Sequence, residues 1–301
     1  MVRFNKAIRG LTLAVACLAP SGLAYAYTAA GDRLFPATVI LPQIAPGEEL
    51  YVTYGTLPLG GGPAGTPNRS TNFTVNFDQM ITDDLGITIG EAYTAYGQNG
   101  GGTLWGWQNQ DGSINYTALR SIDHEFLMSL GLDREVGGTG AARVGAAASG
   151  ATTPQLFFGK GLGDLDIGYL RPLAITGLAS VQFADAAPRP DQLNNGLVVE
   201  YSIPYLESKV QSFDLPAVVR GLTPMAEFQF ISPAGKSYGT RTTILVAPGV
   251  SYAGEGWEFA VEAMVPETRA TGSGFGVTAQ LHLSLDFLFP DSIGKPIFAS
   301  R

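Results

Sequence analysis

The chain has 301 residues, of which 45% are apolar and only 15% are charged, and it contains 39 glycines and 12 tyrosines. Soluble domains carry about 25% charged residues, so this composition is unusual for a soluble enzyme. The formal net charge of −8 argues against nucleic-acid binding, because phosphate binding needs a basic face.

Residues 1–26 have the pattern of a secretory signal peptide. Three basic residues lie within 3–9, a short apolar stretch follows over 11–18, and Ala-Tyr-Ala at 24–26 offers a cleavage site. The apolar stretch is too short to cross a bilayer as a helix. Cleavage would remove Cys17, the only cysteine, and would leave a mature charge of 15 − 26 = −11, from 18 basic residues minus these three and 26 acidic ones.

The rest of the chain is organised by period-2 alternation of apolar and polar residues, which is typical of β-strands. The alternation is clear at 73–77, 126–132, 197–205, 257–265 and 277–289. Further strand candidates are 48–57, 85–97, 115–122, 152–160, 170–183, 224–232 and 242–253. Tight turns at 82–84, 123–125 and 253–256 alternate with longer loops at 98–112, 137–151, 184–194 and 233–240. Such alternation of short turns and long loops is typical of an outer-membrane barrel.

The longest alternating stretch, 277–289, has one apolar face and one polar face. In a barrel the polar face would point into the lumen, and the same reasoning applies to the preceding strand. The lumen-lining candidates are Glu258, Glu262, Gln280, His282, Ser284 and Asp286.

Aromatic residues near strand ends on the apolar face predict the interfacial girdles of a membrane barrel. The girdle candidates are Tyr201, Tyr205, Tyr252, Trp257, Phe287 and Phe289. The candidate strands are about 9–13 residues long, which matches a tilted membrane crossing and exceeds the usual strand. These features favour an all-β, antiparallel transmembrane β-barrel of about 12 strands over a soluble β-sandwich.

The sequence thus divides into a signal peptide (1–26), an N-terminal segment with one candidate strand (27–70), a β-barrel (71–289) and a C-terminal tail (290–301). The expected location is the bacterial outer membrane, after secretion across the inner membrane, with the lipid bilayer as the partner. Whether residues 27–47 and the long loops plug the lumen is left open by the sequence.

Catalysis receives little support from the two histidines. An outer-membrane hydrolase would need a serine beside a histidine on a lipid-facing rim. His282 has Ser284 two residues away, but that face should point into the lumen, and His124 lies in a predicted turn. Two well-separated histidines are also poor material for a metal site. We therefore expect no catalytic residue, no metal and no cofactor, hence a protein that is not an enzyme.

Several patches are similar to a known family. They are Thr-Pro-Gln-Leu-Phe-Phe-Gly-Lys-Gly-Leu-Gly-Asp-Leu at 153–165, Leu-Arg-Pro-Leu-Ala at 170–174, Gly-Asp-Arg-Leu-Phe-Pro at 31–36 and the ending at 289–296. The chain resembles here the Gram-negative outer-membrane proteins named for the MetA pathway of phenol degradation. The resemblance implies a barrel and a passive route for aromatic or other hydrophobic small molecules, and it transfers no catalytic residue.

The leading functional hypothesis is therefore a passive channel or transporter for small solutes. Two alternatives stay open at this point. One is an outer-membrane lipid-modifying hydrolase, and the other is a soluble secreted β-rich binding protein.

Overall fold

The chain forms a closed antiparallel β-barrel, which confirms the predicted fold class. The structure is a computed structural model and describes residues 28–59, 63–235 and 241–298. The predicted signal peptide, 1–26, lies outside these residues. The barrel strands pair in a ring in chain order, and the first barrel strand pairs with the last, which closes the sheet on itself.

A small hairpin precedes the barrel and comprises β1 (Thr28–Ala30) and β2 (Arg33–Phe35). The barrel strands are β3 (Glu49–Pro58), β4 (Pro67–Met80), β5 (Leu85–Gln98), β6 (Thr103–Trp107), β7 (Asp111–Ser121), β8 (Phe126–Glu135), β9 (Ala151–Gly161), β10 (Leu173–Ala184), β11 (Asp191–Tyr201), β12 (Leu222–Ala234), β13 (Thr243–Gly254), β14 (Trp257–Pro266) and β15 (Gly276–Ser284).

These thirteen strands fill twelve positions around the barrel because β6 and β7 share one position. Strand β6 pairs with the second half of β5, and β7 pairs with its first half. Residues 108–110 interrupt the pairing between them. The barrel therefore has the predicted twelve positions, although β6 falls inside a segment that was expected to be a loop.

The barrel begins at Glu49 instead of residue 71 and ends at Ser284 instead of residue 289. Ser284 pairs with Glu49, the first residue of β3, so no neighbouring strand is left for the residues that follow. The chain turns into a short helix at Leu285–Leu288. The prediction that Asp286, Phe287 and Phe289 lie on the last strand is wrong. They are exposed at the end of the barrel and not on a strand face.

Tyr205 is a second correction among the girdle candidates. Strand β11 ends at Tyr201, and Ile203–Tyr205 forms a helical turn. Pro204 lacks an N–H and could not continue the hydrogen bonding of the strand. The Ser202 hydroxyl accepts the Tyr205 N–H at 3.2 Å and caps this turn. Tyr205 is consequently only 6% exposed and points away from any lipid-facing girdle.

The two ends of the barrel differ in their connections. We call the end where β3 begins and β15 ends the N-terminal rim, and the other end the far rim. The N-terminal rim carries the short turns 81–84, 122–125 and 255–256 and two longer connections, 162–172 and 202–221. The far rim carries 99–102, 136–150, 185–190 and 267–275 and the described residues of two further connections, 59, 63–66, 235 and 241–242. The expected division into short turns and long loops therefore holds only in part.

The outer face of the barrel is an exposed apolar belt. On β14, the outward residues Trp257, Phe259 and Val261 are 38%, 45% and 37% exposed, and they alternate with buried Glu258, Ala260 and Glu262. The rings of Tyr252 and Trp257 lie 5.7 Å apart at the N-terminal rim. Other members of the belt are Tyr54, Phe73, Ile89, Trp105, Ile114, Leu130, Leu156, Phe183, Leu193, Phe230, Val277 and Leu281. Within the described part of the chain, no helix has the length and apolar character to cross a membrane.

Candidate functional site: an occupied barrel lumen

A segment of the chain ahead of the first barrel strand lies inside the barrel. We call residues 36–47 the inserted loop. It enters from the N-terminal rim after β2 and returns to that rim where β3 begins. Val39 and Leu41 pack against Val198 and Met225 of the barrel wall. The question that the sequence left open is answered, because part of 27–47 fills the lumen.

The return half of the inserted loop has a separate apolar contact. Ile44 and Ala45 form one buried cluster with Phe35, and the wall contributes Leu127 and Phe157 to it. The full cluster buries every member to 8% exposure or less. Each large apolar side chain of the cluster, such as those of Ile44 and Phe35, contributes about 1.5–3 kcal/mol of burial free energy. The loop is thus packed into the barrel like part of its core.

Glycines on the inner wall make room for the inserted loop. A Cβ on Gly196 of β11 would lie 2.5 Å from Leu41 Cδ1, and one on Gly159 of β9 would lie 2.9 Å from Ile44 Cδ1. Both distances are too short for real contacts. The barrel wall therefore lacks side chains where the loop comes closest.

The tip of the inserted loop is held by a buried carboxylate. Glu227, in the middle of β12, is fully buried and accepts the backbone N–H groups of Val39, Ile40 and Leu41, the last two at 3.2 and 2.9 Å. Successive N–H groups that converge on one anion form a nest, in which partial positive charges stabilise the carboxylate. Glu258 accepts the Ala37 N–H at 3.1 Å in the same manner.

Internal hydrogen bonds close the tip into a compact turn. The Thr38 hydroxyl donates to the Leu41 carbonyl oxygen at 2.7 Å, and the Gln43 side-chain amide donates to the Thr38 carbonyl oxygen at 3.1 Å. Pro42 is exposed at the tip. The wall recognises the inserted loop through backbone groups, and the tip of the loop carries no charged side chain. The sequence therefore indicates no charged partner for Glu227.

Removing the Glu227 carboxylate should release the tip. In a Pro42→Cys background without Cys17, Glu227→Ala should increase the rate of maleimide labelling about tenfold, because three N–H groups lose a charged acceptor. The matched control is Glu255→Ala, at an exposed position on the N-terminal rim. Equal labelling rates in the two variants would show that packing alone fixes the tip.

Arg33 anchors the loop at the N-terminal rim. Its buried guanidinium donates to Glu125 Oε2 at 3.2 Å, to the Pro172 carbonyl oxygen at 3.0 Å, and to the carbonyl oxygens of Arg171 and Leu173. The guanidinium carbon also lies 4.1 Å from the Tyr205 ring centroid, a cation–π contact. We call Arg33, Glu125 and Tyr205 the Arg33 anchor.

Glu125 completes the anchor from a tight turn with a positive φ of 46°. Its carboxylate accepts the Tyr205 hydroxyl at 2.8 Å and the Gly163 N–H at 2.9 Å in addition to Arg33. Burial, followed by the hydrogen bond to Glu125, raises the pKa of the Tyr205 hydroxyl. Arg33 and Tyr205 were not predicted as functional partners, since they lie 172 residues apart in sequence (205 − 33).

The predicted lumen residues occupy the inner wall, with the exception of Asp286. They are 3% exposed or less: Glu258, Glu262, Gln280, His282 and Ser284. His282 Nε2 lies 3.0 Å from Glu49 Oε2, and the Gln280 amide donates to the Thr53 hydroxyl at 3.0 Å. The inserted loop fills part of the space that they enclose.

The girdle candidates fall into two groups. Tyr201, Tyr252 and Trp257 lie on the outward face of their strands near the N-terminal rim. Tyr205 belongs to the Arg33 anchor, and Phe287 and Phe289 lie beyond the last strand.

The space that the inserted loop leaves is a cavity of about 360 Å³. Its first wall is the loop tip, Val39 to Gln43, and its second wall belongs to β3, β4, β5, β7, β8, β9 and β15. The second wall is polar and includes Asn76, Asp111, Asn115, Asp133, Gln155 and Gln280. Sequence reasoning identified only Gln280 among these six. The alternating pattern of β7 and β8 indicates these inward positions, but residue 111 falls in the segment 98–112, for which the sequence predicts a loop.

Glu48, between the inserted loop and β3, gives the rim a pH dependence. Burial raises its pKa from 4.5 to about 7, and the negative charges of Asp286 and Glu49 add to this shift. The folded state therefore holds this proton more tightly than the unfolded chain, and stability is lost as pH rises from about 4.5 to about 7.

We expect Glu48→Gln to be more stable than the parent chain by about 1 kcal/mol at pH 8 and equally stable at pH 4. The value is reduced from the full linkage energy because Glu48 is half-buried and solvent screens its charge. Urea unfolding in lipid vesicles at the two pH values measures it, with exposed Glu255→Gln as the control. An equal gain at both pH values would contradict the assignment to titration of Glu48.

No family model matches the chain, and no curated protein matches it. Among solved structures, the KdgM porin is similar with a TM-score of 0.45 and 10% identity, covering 78% of this chain and 98% of the porin. The NanC porin gives a TM-score of 0.49 and 8% identity over 77% and 97% of the two chains. The COG4313 outer membrane channel from Pseudomonas putida F1 gives 0.49 and 11% over 83% and 99%. Identities this low carry no information on a solute.

Proposed function

We propose that this protein is a passive channel of the bacterial outer membrane for small solutes. The observation that carries the proposal is a polar cavity inside a closed barrel whose outer face is apolar. If the barrel crosses a lipid bilayer, its polar lumen gives polar solutes a route that avoids the hydrocarbon core.

The apolar belt supports the membrane location. Eleven of the twelve barrel positions are single strands of 9–14 residues, the length needed for a tilted crossing of the hydrocarbon core. A soluble protein rarely leaves an apolar patch larger than a few hundred Å² exposed. The belt therefore speaks against a soluble secreted binding protein, the third of the original hypotheses.

Membership in the group named for the MetA pathway of phenol degradation is part of this proposal. The patches that resemble the group, 31–36, 153–165 and 170–174, meet at the Arg33 anchor, where Arg33 contacts the backbone of residues 171–173. A shared need to hold an inserted loop would account for their similarity.

The hydrolase alternative lacks a supporting geometry in the described residues. His282 is 1% exposed inside the barrel, beside Glu49 and Tyr51, whereas lipid would be reached at the outer face. His124 is exposed at the N-terminal rim, 3.6 Å from Asp164. The Lys160 ammonium is hydrogen-bonded to that same carboxylate and lowers the pKa of Asp164. We therefore propose a protein that is not an enzyme.

Reconstitution tests the proposal directly. In cells, the protein should fractionate with outer membranes. The purified protein should show heat-modifiable gel migration and give discrete conductance steps in planar bilayers. Absence of conductance together with lipid hydrolysis would replace the channel by the hydrolase. Recovery in the periplasmic or culture fraction would replace it by the soluble binding protein.

A further inference from the structure

The cavity beside the inserted loop has an unbalanced set of polar groups. Asp111 and Asp133 are its only charged lining residues, and both are acidic. Asp111 is exposed and Asp133 is half-buried. Nothing basic among the described residues lines the cavity to balance them.

Nearby cations are already engaged elsewhere. Arg189 is paired with Glu135 and donates to the Ser149 carbonyl oxygen at 2.8 Å. Arg134 is paired with Asp185 at 2.6 Å. Neither guanidinium lines the cavity.

Two buried amide oxygens add acceptors without donors. Asn115 and Gln280 line the cavity and are 7% and 3% exposed. Asn115 Oδ1 and Gln280 Oε1 have no hydrogen-bond partner among the described residues. A buried acceptor without a partner costs free energy unless a ligand or water supplies the donor.

Two of the side-chain amides that line the cavity already donate within the protein. The Gln280 N–H group donates to Thr53 at 3.0 Å, and the Gln43 N–H group donates to the Thr38 carbonyl oxygen. The cavity thus offers unpartnered acceptors and negative charge. An anionic solute would meet like charge here, whereas an ammonium group would meet opposite charge and acceptors for its N–H groups.

The opposite wall of the cavity is apolar. The tip of the inserted loop contributes Val39, Ile40, Leu41 and Pro42 to it. A ligand that satisfies both walls needs a positive head and a hydrocarbon body. We infer that the cavity binds a small organic cation with an apolar or aromatic body; as a statement of which solute passes, this inference rests on the proposed channel function.

Two aromatic ions of opposite charge test this inference. Isothermal titration calorimetry of the folded full-length mature barrel should detect benzylammonium, which has N–H donors, and give at least about tenfold weaker binding of benzenesulfonate. In planar bilayers only the cation should reduce the current. Equal affinity for the two ions, or tighter binding of the anion, would overturn the inference.

The decisive variant is Asp111→Asn with Asp133→Asn, which removes charge and keeps shape. It should weaken benzylammonium binding about tenfold. The control, Asp123→Asn with Asp166→Asn, removes the same charge from exposed positions at the N-terminal rim and should change nothing. If the double variant fails to fold, Asp111→Asn alone, at an exposed position, carries the same test. An unchanged affinity in a folded variant would overturn the inference.

The calorimetric and electrical results separate the two claims. Cation binding without any conductance would keep the ligand site and remove the channel. Conductance without preference for the cation would keep the channel and remove the ligand site.

Discussion

Replacing residues 37–43 by a short glycine–serine linker should raise the single-channel conductance about fivefold, because the inserted loop fills lumen that a twelve-position barrel would otherwise leave open. The linker removes the side chains of Val39 and Leu41 and the turn that presents three N–H groups to Glu227. It keeps Arg33 and β3, so the barrel closes as before.

The control for the linker variant is a glycine–serine replacement of residues 211–216 at the N-terminal rim, which are exposed except for half-buried Leu215. Its conductance should equal that of the parent chain. If the linker variant also conducts like the parent, then the loop does not limit the passage, and a connection of the far rim must do so.

Breaking the Arg33 anchor should have the largest effect on stability. Arg33→Ala leaves the buried Glu125 carboxylate without its cation, and we expect a loss of about 3–5 kcal/mol in the free energy of unfolding. Urea unfolding in lipid vesicles, followed by gel migration, measures it. Arg33→Met combined with Glu125→Gln should recover much of the loss, because no buried charge then lacks a partner.

A neighbouring ion pair supplies the matched control. Lys209 and Asp32 are joined at 2.7 Å, but their side chains are 41% and 63% exposed. Lys209→Ala should cost less than about 1 kcal/mol. If Arg33→Ala costs no more than Lys209→Ala, the anchor does not hold the loop, and its docking depends on the apolar clusters.

Alternation predicted the barrel because each strand face meets one environment. On β14, Phe259 and Val261 face outward, and Glu258 and Glu262 face inward, as the sequence pattern indicated. The same pattern failed after Ser284. Leu285, Phe287 and Phe289 continue the alternation, but pairing ends where the first residues of the neighbouring strands are reached. The alternation within one strand does not indicate where its partner strand begins.

The inserted loop could not be placed from sequence for a different reason. Three prolines in 36–47 exclude a regular strand, but they do not distinguish a loop inside the barrel from one outside it. The distinguishing features lie on the wall, as the inward glycines Gly159 and Gly196 and the buried Glu227. Each is ordinary by itself, and only the three-dimensional arrangement shows that they surround one segment.

The position of the inserted loop also sets the order in which this protein can assemble. The loop leaves the ribosome before every barrel strand, yet the carboxylates that hold it lie 188 and 221 residues later, on β12 and β14. Its hydrogen bonds therefore can form only after the chain has been synthesised as far as β14. Contacts between such distant segments form slowly, since a long chain must first be brought together. We therefore expect docking of the loop and closure of the β3–β15 seam late in assembly, and a chain truncated before β14 would lack Glu258 and the strand that closes the barrel.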